Sequence, residues 1–207
     1  MDILTFEKNE KLYNGDQFLP YMLFNDEIKK ATANYEGYKP IDYQLPLIRY
    51  YGKKEAIKNA LKLFMWPTSD PILRVKGYSP KDSAWNSDFD KAKGKMEFYY
   101  VKLDTAIITL FENFLNECKT EKVKIIFVYI PEYIERRTFI KNRDEIFSVF
   151  AMFSKKYNIP FYDYSNDTIS FHKKYFYNAS HLNKTGAELF TSKLAQKLKS
   201  NNAHHPN

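Results

Sequence analysis

Apolar residues in the second half of the chain follow two different spacings. Residues 123–130 form an almost continuous apolar run that ends at Pro131, and residues 159–164 form a shorter one. Such runs are typical of strands that are buried on both faces of a parallel sheet. Between them, residues 144–157 place apolar side chains on one helical stripe, which consists of Ile146, Val149, Phe150, Phe153 and Tyr157. This order of elements predicts a doubly wound α/β fold.

Another amphipathic helix is predicted after Asn183, a residue type that caps helices. Its apolar positions recur every three or four residues, at Ala187, Phe190, Leu194 and Leu198. His181 therefore lies in the loop that leads into this helix, and Asn178 precedes it by three residues. A histidine in such a loop is a candidate for chemistry, although it is also a common surface or capping residue.

Residues 7–100 resemble an insertion rather than sheet material, because prolines divide them into short pieces. Helices are predicted at 26–35 and 54–65. Six aromatic residues of this region form either a lid over the site or a small core of the insertion: Tyr43, Tyr50, Tyr51, Trp66, Tyr78 and Trp85. We expect one domain over residues 1–199 and a flexible tail at 200–207.

Composition narrows the class of protein. The chain has 207 residues, 44% of them hydrophobic, which excludes general disorder. The formal charge is +7, but lysines are interspersed with acidic residues and no long basic run occurs. This distribution indicates a solvated surface, and we expect no nucleic-acid partner.

Cofactor and membrane signals are not found in the sequence. Cys118 is the only cysteine, and no pair of histidines has helical ligand spacing, so we expect neither a metal site nor a cofactor. Asp2, Glu7 and Lys8 interrupt the apolar stretch at the start, and we expect no membrane span in this chain.

A family resemblance rests on two segments. FYDYSND at 161–167 and YFYNASHLNKTGAELFTSKLAQKL at 175–198 resemble the C-terminal part of the SGNH/GDSL hydrolases, especially the bacterial branch found near cell-surface polysaccharide genes. The final block of that family reads Asp-x-x-His, followed by Leu-Asn and Gly-Ala. The resemblance covers about residues 123–199.

The resemblance implies a three-layer flavodoxin-like parallel sheet and an ester hydrolase or acetyl-transfer reaction on carbohydrate. His181 corresponds to the base that takes the proton of a nucleophilic serine. Asn178 occupies the place of the orienting aspartate, and an amide carries no charge to stabilise the imidazolium. Asp163 or Asp167 could supply that charge, or could be turn and capping residues.

A Gly-Asp-Ser block, which carries the nucleophile in that family, does not occur in this sequence. Gly15-Asp16-Gln17 lacks the serine and follows a polar stretch. Met1 to Phe6 reads as the last part of a strand, so we expect a sheet truncated at its N-terminus. The alternative is a complete chain that has lost the nucleophile.

Localisation and self-association depend on that choice. A true start at Met1 implies the cytoplasm, whereas a truncated chain is consistent with the cell envelope. An exposed strand at 2–6 would present unpaired backbone groups, which predicts a homo-oligomer.

The carboxyl ends of parallel strands are where ligands approach such a sheet. This places Tyr129, Glu132 and Tyr133 after one strand, and Asp163 and Tyr164 after the next, as the candidate binding surface. Two functions remain open: an SGNH-type esterase or acyl transferase for acylated carbohydrate, and a non-catalytic relative that binds a glycan or a protein.

Overall fold

The computed structural model describes residues 1–12, 15–45, 48–66 and 78–203. The chain divides into two compact units. The first comprises Met1–Lys8 and Pro80–Asn207, and the second comprises Asn9–Ser79. The second unit lies within the segment 7–100 that the sequence predicts as an insertion.

The described elements are mainly helical. In chain order they are α1 (Asp26–Thr32), α2 (Lys54–Met65), α3 (Asp88–Lys95), α4 (Thr105–Thr120), β1 (Phe127–Tyr129), α5 (Ile134–Phe139), α6 (Arg143–Tyr157), β2 (Phe161–Asp163), β3 (Phe176–Asn178), β4 (His181–Leu182) and α7 (Lys184–Ala203). Short 3₁₀ helices lie at Gly15–Phe18, Pro40–Tyr43, Ile48–Tyr50, Thr168–Phe171 and Lys173–Tyr175. α7 continues past the predicted domain end at residue 199, and residues 204–207 of the predicted tail lie outside the described residues.

The described strands form two sheets of two strands each, so the fold is mixed α/β. β1 and β2 run in the same direction, with Phe127 opposite Phe161. This confirms the predicted parallel pairing of the two apolar runs, although each strand has only three residues. On the edge of β1 that faces away from β2, the backbone nitrogen of Met1 donates a 2.7 Å hydrogen bond to the carbonyl oxygen of Val128.

The larger hydrophobic core packs α4 and α6 against one face of β1, through Phe127 and Tyr129. Phe6 lies at its centre, with its ring centroid 4.7 Å from that of Phe150 and 5.4 Å from that of Phe111. Burying a side chain of this size contributes about 1.5–3 kcal/mol. These aromatic contacts hold the parallel strands in place.

A second cluster lies on the opposite face of β1, because successive side chains of a strand point to opposite sides. Val128 packs there against a cluster whose buried members are Ile169, Phe176 and Phe190. Phe190 belongs to α7 and Phe176 to β3, so this cluster positions the hairpin that carries His181.

Residues 2–6 do not form the predicted strand. Ile3 to Phe6 are in turns, and the backbone N–H of Thr5 donates a 3.1 Å hydrogen bond to the carbonyl oxygen of Asp2. Ile3 and Phe6 are fully buried in the core. The predicted exposed strand is therefore wrong, and the homo-oligomer predicted from it loses its structural basis.

Helix ends in the first unit follow ordinary capping chemistry. The Asp104 carboxylate accepts hydrogen bonds from the backbone N–H groups of Ala106 at 2.8 Å and Ile107 at 3.2 Å, which fixes the start of α4. Asn158 ends α6 in a left-handed conformation with φ of 52°. Cys118 lies within α4 and is buried.

The second unit has a small interior of its own. The side chain of Asn25 caps α1, and the buried Thr32 hydroxyl lies 3.0 Å from the hydroxyl of Tyr43. α2 spans the residues predicted for it. Among the six aromatic residues considered as a lid, Trp85 belongs to the first unit and the other five to the second.

Among the described residues, no helix is both long and apolar enough to cross a bilayer. Within the same ranges, no three histidine, cysteine, aspartate or glutamate side chains are grouped so that they could hold a metal ion.

Candidate functional site

His181 lies in an antiparallel hairpin formed by β3 and β4, where it is paired with Asn178. Its ring nitrogen Nδ1 is 2.9 Å from Oδ1 of Asn178. The same oxygen accepts a 3.0 Å hydrogen bond from the backbone N–H of Ser180. The two-residue turn between the strands therefore brings together the two residues that the sequence singled out.

This geometry determines which ring nitrogen carries the proton. A backbone N–H can only donate, so the Asn178 atom facing Ser180 must be the amide oxygen. An amide oxygen can only accept, so Nδ1 of His181 must carry the hydrogen in their shared bond. The neutral ring then has its free lone pair on Nε2. A histidine in this tautomer can act as a general base through Nε2.

The surroundings of His181 lower its pKa, so the ring stays neutral at a lower pH than an ordinary histidine does. Partial burial of the ring is the main reason that the pKa of His181 is lowered, and the positive charges of Arg136 and Lys81 act in the same direction. Asp2 raises the pKa but does not offset the other effects. The ring of Tyr177 stacks on the imidazole at 5.4 Å between centroids.

The hairpin is anchored by backbone hydrogen bonds to two other segments. Tyr133 donates to the carbonyl oxygen of Ala179 at 3.0 Å, and Asn86 donates to that of Tyr177 at 2.8 Å. A third bond closes the hairpin itself: Asn183, directly after β4, donates to the carbonyl oxygen of Tyr175, directly before β3, at 2.9 Å. These contacts fix the position of the loop, so the imidazole is held by a rigid support.

Asn183 and Gly186 explain how the hairpin joins α7. The Asn183 side chain accepts a 3.0 Å hydrogen bond from the backbone N–H of Gly186, which confirms its predicted role as a helix cap. A side chain at Gly186 would collide with the carbonyl oxygen of Tyr175. Glycine here allows the first turn of α7 to pack directly against the segment that leads into β3.

A cavity of about 250 Å³ lies beside the hairpin. Asn178, Ala179 and Ser180 form part of its lining, together with apolar side chains and the guanidinium-bearing Arg136. Its apolar walls include Leu4, Phe89, Phe139 and Ile140. The lining also contains Asp88, and Arg136 is paired with Glu132, so the volume and the apolar walls are what make the cavity compatible with a small acyl group.

Tyr129 and Glu132 do not lie on a binding surface, although their place after β1 predicts one. They are 2% and 3% exposed. The Tyr129 hydroxyl donates to Glu132 at 2.8 Å, and the Glu132 carboxylate also pairs with Arg136 at 2.5 Å and with Arg143. The structure gives them a structural role, because a carboxylate buried between two guanidinium groups has no contact left for a ligand.

Asp163 and Asp167 are placed by the structure as turn and capping residues. Oδ1 of Asp163 accepts from the backbone N–H of Ser165 at 2.8 Å and from its hydroxyl at 2.6 Å. Asp167 accepts from the backbone N–H of Ile169 at 3.0 Å and pairs with Lys193. Neither has a hydrogen bond to His181 among the described residues, whereas Asn178 does.

Tyr133 and Tyr164 are half-buried, and both pack on aromatic partners. The ring centroid of Tyr133 lies 5.0 Å from that of Trp85, and the Tyr133 hydroxyl donates to Glu135 at 3.1 Å. The ring of Tyr164 lies 5.1 Å from that of Phe190. Tyr133 borders the hairpin through its backbone, whereas the ring of Tyr164 belongs to the core under α7.

The sequence interpretation missed several residues that surround His181: Asp2, Lys81, Arg136 and Tyr177. Tyr177 carries the one signal that sequence reasoning could have used, because it directly precedes Asn178 in a strand that returns through a two-residue turn. Asp2, Lys81 and Arg136 are distant in sequence, and only tertiary packing brings them close.

Comparison with models of known protein families, with curated proteins and with solved structures finds no match to this chain. The resemblance to SGNH hydrolases therefore stays a prediction from the motifs.

Proposed function

We propose that the first unit is an SGNH-like ester hydrolase or acyl-transfer domain for acylated carbohydrate, in which His181 is the general base. The observation that carries the proposal is the hydrogen bond from His181 Nδ1–H to Asn178 Oδ1. It leaves Nε2 as the proton acceptor, which is the arrangement that a hydroxyl nucleophile requires. The flavodoxin-like three-layer sheet belongs to the same proposal.

Two features of the site support this function. The lowered pKa of His181, caused mainly by partial burial, favours the neutral imidazole that a general base requires. The cavity beside Asn178–Ser180 has apolar walls suited to an acetyl group.

The nucleophile is the element that the described residues do not supply. Among them, no serine or threonine hydroxyl is hydrogen-bonded to His181. In the proposed reaction, Nε2 takes the proton of a hydroxyl, the resulting oxygen attacks the acyl carbon, and the sugar alkoxide leaves with that proton. Because Asn178 is neutral, we expect slow turnover compared with a site in which a carboxylate orients the base.

Ester hydrolysis by the full chain tests the proposal. The substrates are p-nitrophenyl acetate and an O-acetylated oligosaccharide, with nitrophenolate and acetate as products. We expect His181→Ala to lower the rate by about 100-fold or more, which is the usual contribution of a general base. His172→Ala is the matched control, because His172 is an exposed histidine of the same unit. Equal rates for the two variants and the wild type would contradict the proposal.

A second candidate is a non-catalytic module that binds a glycan. It is favoured by a separate cavity of about 430 Å³, lined by Trp85, Lys173 and Asn183. The Lys173 ammonium lies 4.5 Å from the Trp85 ring, and aromatic rings with nearby hydrogen-bonding groups are a common surface for sugars.

Tryptophan fluorescence separates this candidate from the enzyme. The chain has two tryptophans, so a Trp66→Phe variant reports on Trp85 alone. Saturable fluorescence changes with an oligosaccharide, together with ester turnover that is unaffected by His181→Ala, would favour the binding module.

A further inference from the structure

Arg49 is a buried cation in the second unit. It is the middle residue of the 3₁₀ helix Ile48–Tyr50, and only 9% of its surface is exposed. Two of its guanidinium nitrogens, Nε and Nη1, have no hydrogen-bond partner among the described residues. No carboxylate within those ranges forms an ion pair with it.

An unpaired buried guanidinium is unfavourable. Removing a charge from water carries a penalty of several kcal/mol unless an opposite charge and hydrogen bonds compensate for it. Arginine cannot escape the penalty by losing its proton, because its side chain stays charged in proteins. The Arg49 guanidinium lies 5.5 Å from the centre of the Tyr50 ring, which offsets part of this penalty, and an anion would supply the hydrogen bonds that Nε and Nη1 lack.

The space for an anion is next to Arg49. A cavity of about 530 Å³ is lined by this residue together with residues from 11 to 53 of the second unit. This is the size of a pocket for a small organic molecule. Its lining also contains apolar side chains, among them Leu19, Met22, Ile41 and Ile48, so it can enclose an apolar body as well as a charge.

The charges around the cavity indicate the charge of the ligand. Four cationic side chains line it, Lys11, Lys39, Arg49 and Lys53, along with three acidic ones, Asp16, Glu36 and Asp42. Lys53 is already paired with Asp16 at 2.7 Å. The four cationic side chains exceed the three acidic ones by one positive charge, and among the four cationic residues Arg49 is the buried one.

We propose that this cavity binds a small organic molecule through one carboxylate group held by Arg49. A guanidinium presents two parallel N–H donors that match the two oxygens of a carboxylate. The site lies in the second unit and does not depend on the ester chemistry proposed for His181.

Benzoate and benzyl alcohol are suitable probes, because they share a ring and differ in charge. The full chain is ¹⁵N-labelled and titrated with each, at constant ionic strength set with sodium chloride. Each of the five arginines has an Nε–H resonance that can be followed. We expect benzoate to shift the Arg49 resonance saturably, and benzyl alcohol to leave it unchanged. An unmoved Arg49 resonance, or tighter binding of inorganic phosphate than of benzoate, would overturn the proposal.

Variants provide an independent test by thermal unfolding. Arg49→Met is expected to weaken benzoate binding by about ten-fold or more, since the bidentate contact is lost. Lys30→Met is the matched control, because it removes the same charge from an exposed position in α1 that does not line the cavity. Without benzoate, Arg49→Met should unfold at the same temperature as the wild type or at a higher one. A lower midpoint would mean that Arg49 already has a compensating partner, and would refute the assignment.

Discussion

The backbone N–H of Tyr133 donates a 3.0 Å hydrogen bond to the carbonyl oxygen of Ala179. This bond joins the loop after β1 to the turn of the hairpin that contains His181. Ala179 is 4% exposed, so the bond is protected from water. The segment after β1 thus supports the site through its backbone, while the side chains of Tyr129 and Glu132 stabilise the interior beneath it.

Replacing Asn178 with aspartate should raise the pKa of His181. A carboxylate at this position would place a negative charge within 3 Å of the ring, and an opposite charge favours the protonated imidazole by about 1–3 pKa units. The pKa is measured from the ring resonances in an NMR titration. Asp2→Asn is a control with the opposite expected sign. Asp2 raises the pKa of His181 in the wild type, so removing the Asp2 charge should lower the pKa of His181. An unchanged pKa in Asn178→Asp would show that the pair is not formed in solution.

The stability of the protein should rise with pH in the window just below the ordinary histidine pKa. Partial burial lowers the pKa of His181 from 6.5, so between the two values the unfolded chain binds more protons than the folded one. His181 therefore contributes stability that is present above pH 6.5 and is lost as the pH falls through the folded pKa.

Chemical denaturation of wild type and His181→Gln at pH 5 and pH 8 checks this sign. The unfolding free energy of the wild type minus that of His181→Gln should be larger at pH 8 than at pH 5. The reverse order would mean that the folded protein stabilises the protonated ring.

Glu132→Gln should destabilise the first unit strongly. The substitution removes the negative charge between Arg136 and Arg143, whose side chains are 10% and 11% exposed. Breaking a buried ion pair from one side costs about 3–5 kcal/mol. Tyr129→Phe is the matched control, since it removes one hydroxyl from the same network and should cost about 1 kcal/mol. Urea denaturation gives both values, and similar losses for the two variants would contradict the importance of the charge.

Gly186→Ala should destabilise the packing of α7 against the hairpin. The added methyl group would collide with a backbone atom, which cannot rotate away, and overpacking of this kind costs about 1–3 kcal/mol. Gly94→Ala in α3 is the control, because a methyl group there meets open space. Alanine is the better helix former, so Gly94→Ala should stabilise by up to about 1 kcal/mol. Thermal unfolding of the two variants should show shifts of opposite sign.

The elements that the sequence predicts well are those with strong periodicity. The apolar stripe at 144–157 lies within α6, and the predicted helix 54–65 coincides with α2. The spacing of Asn178 and His181 also led to a real contact. In these cases the local pattern and the tertiary structure require the same conformation.

The predictions that failed depend on packing between distant segments. Ile3 and Phe6, three residues apart in a turn, are both buried. The apolar pattern of Met1 to Phe6 is too short to distinguish such a turn from a strand. Glu132 looked like a surface ligand because the sequence does not show that Arg136 and Arg143 both turn toward it. The two Arg49 nitrogens that lack a hydrogen-bond partner within the described part of the chain could not be recognised at all, since a missing contact has no signature in the sequence.

Phe6 meets Phe150 and Phe153 in the core, although these residues come from the two different sequence segments of the first unit, with the whole second unit between them in the chain. During synthesis, Phe6 leaves the ribosome long before α6 exists, and the core cannot close until α6 has followed. Contacts between residues so far apart in sequence form slowly, because a long loop must be closed first. The protein should therefore assemble the His181 unit late, and a nascent chain arrested before α6 should expose its N-terminal apolar turn to proteases and chaperones.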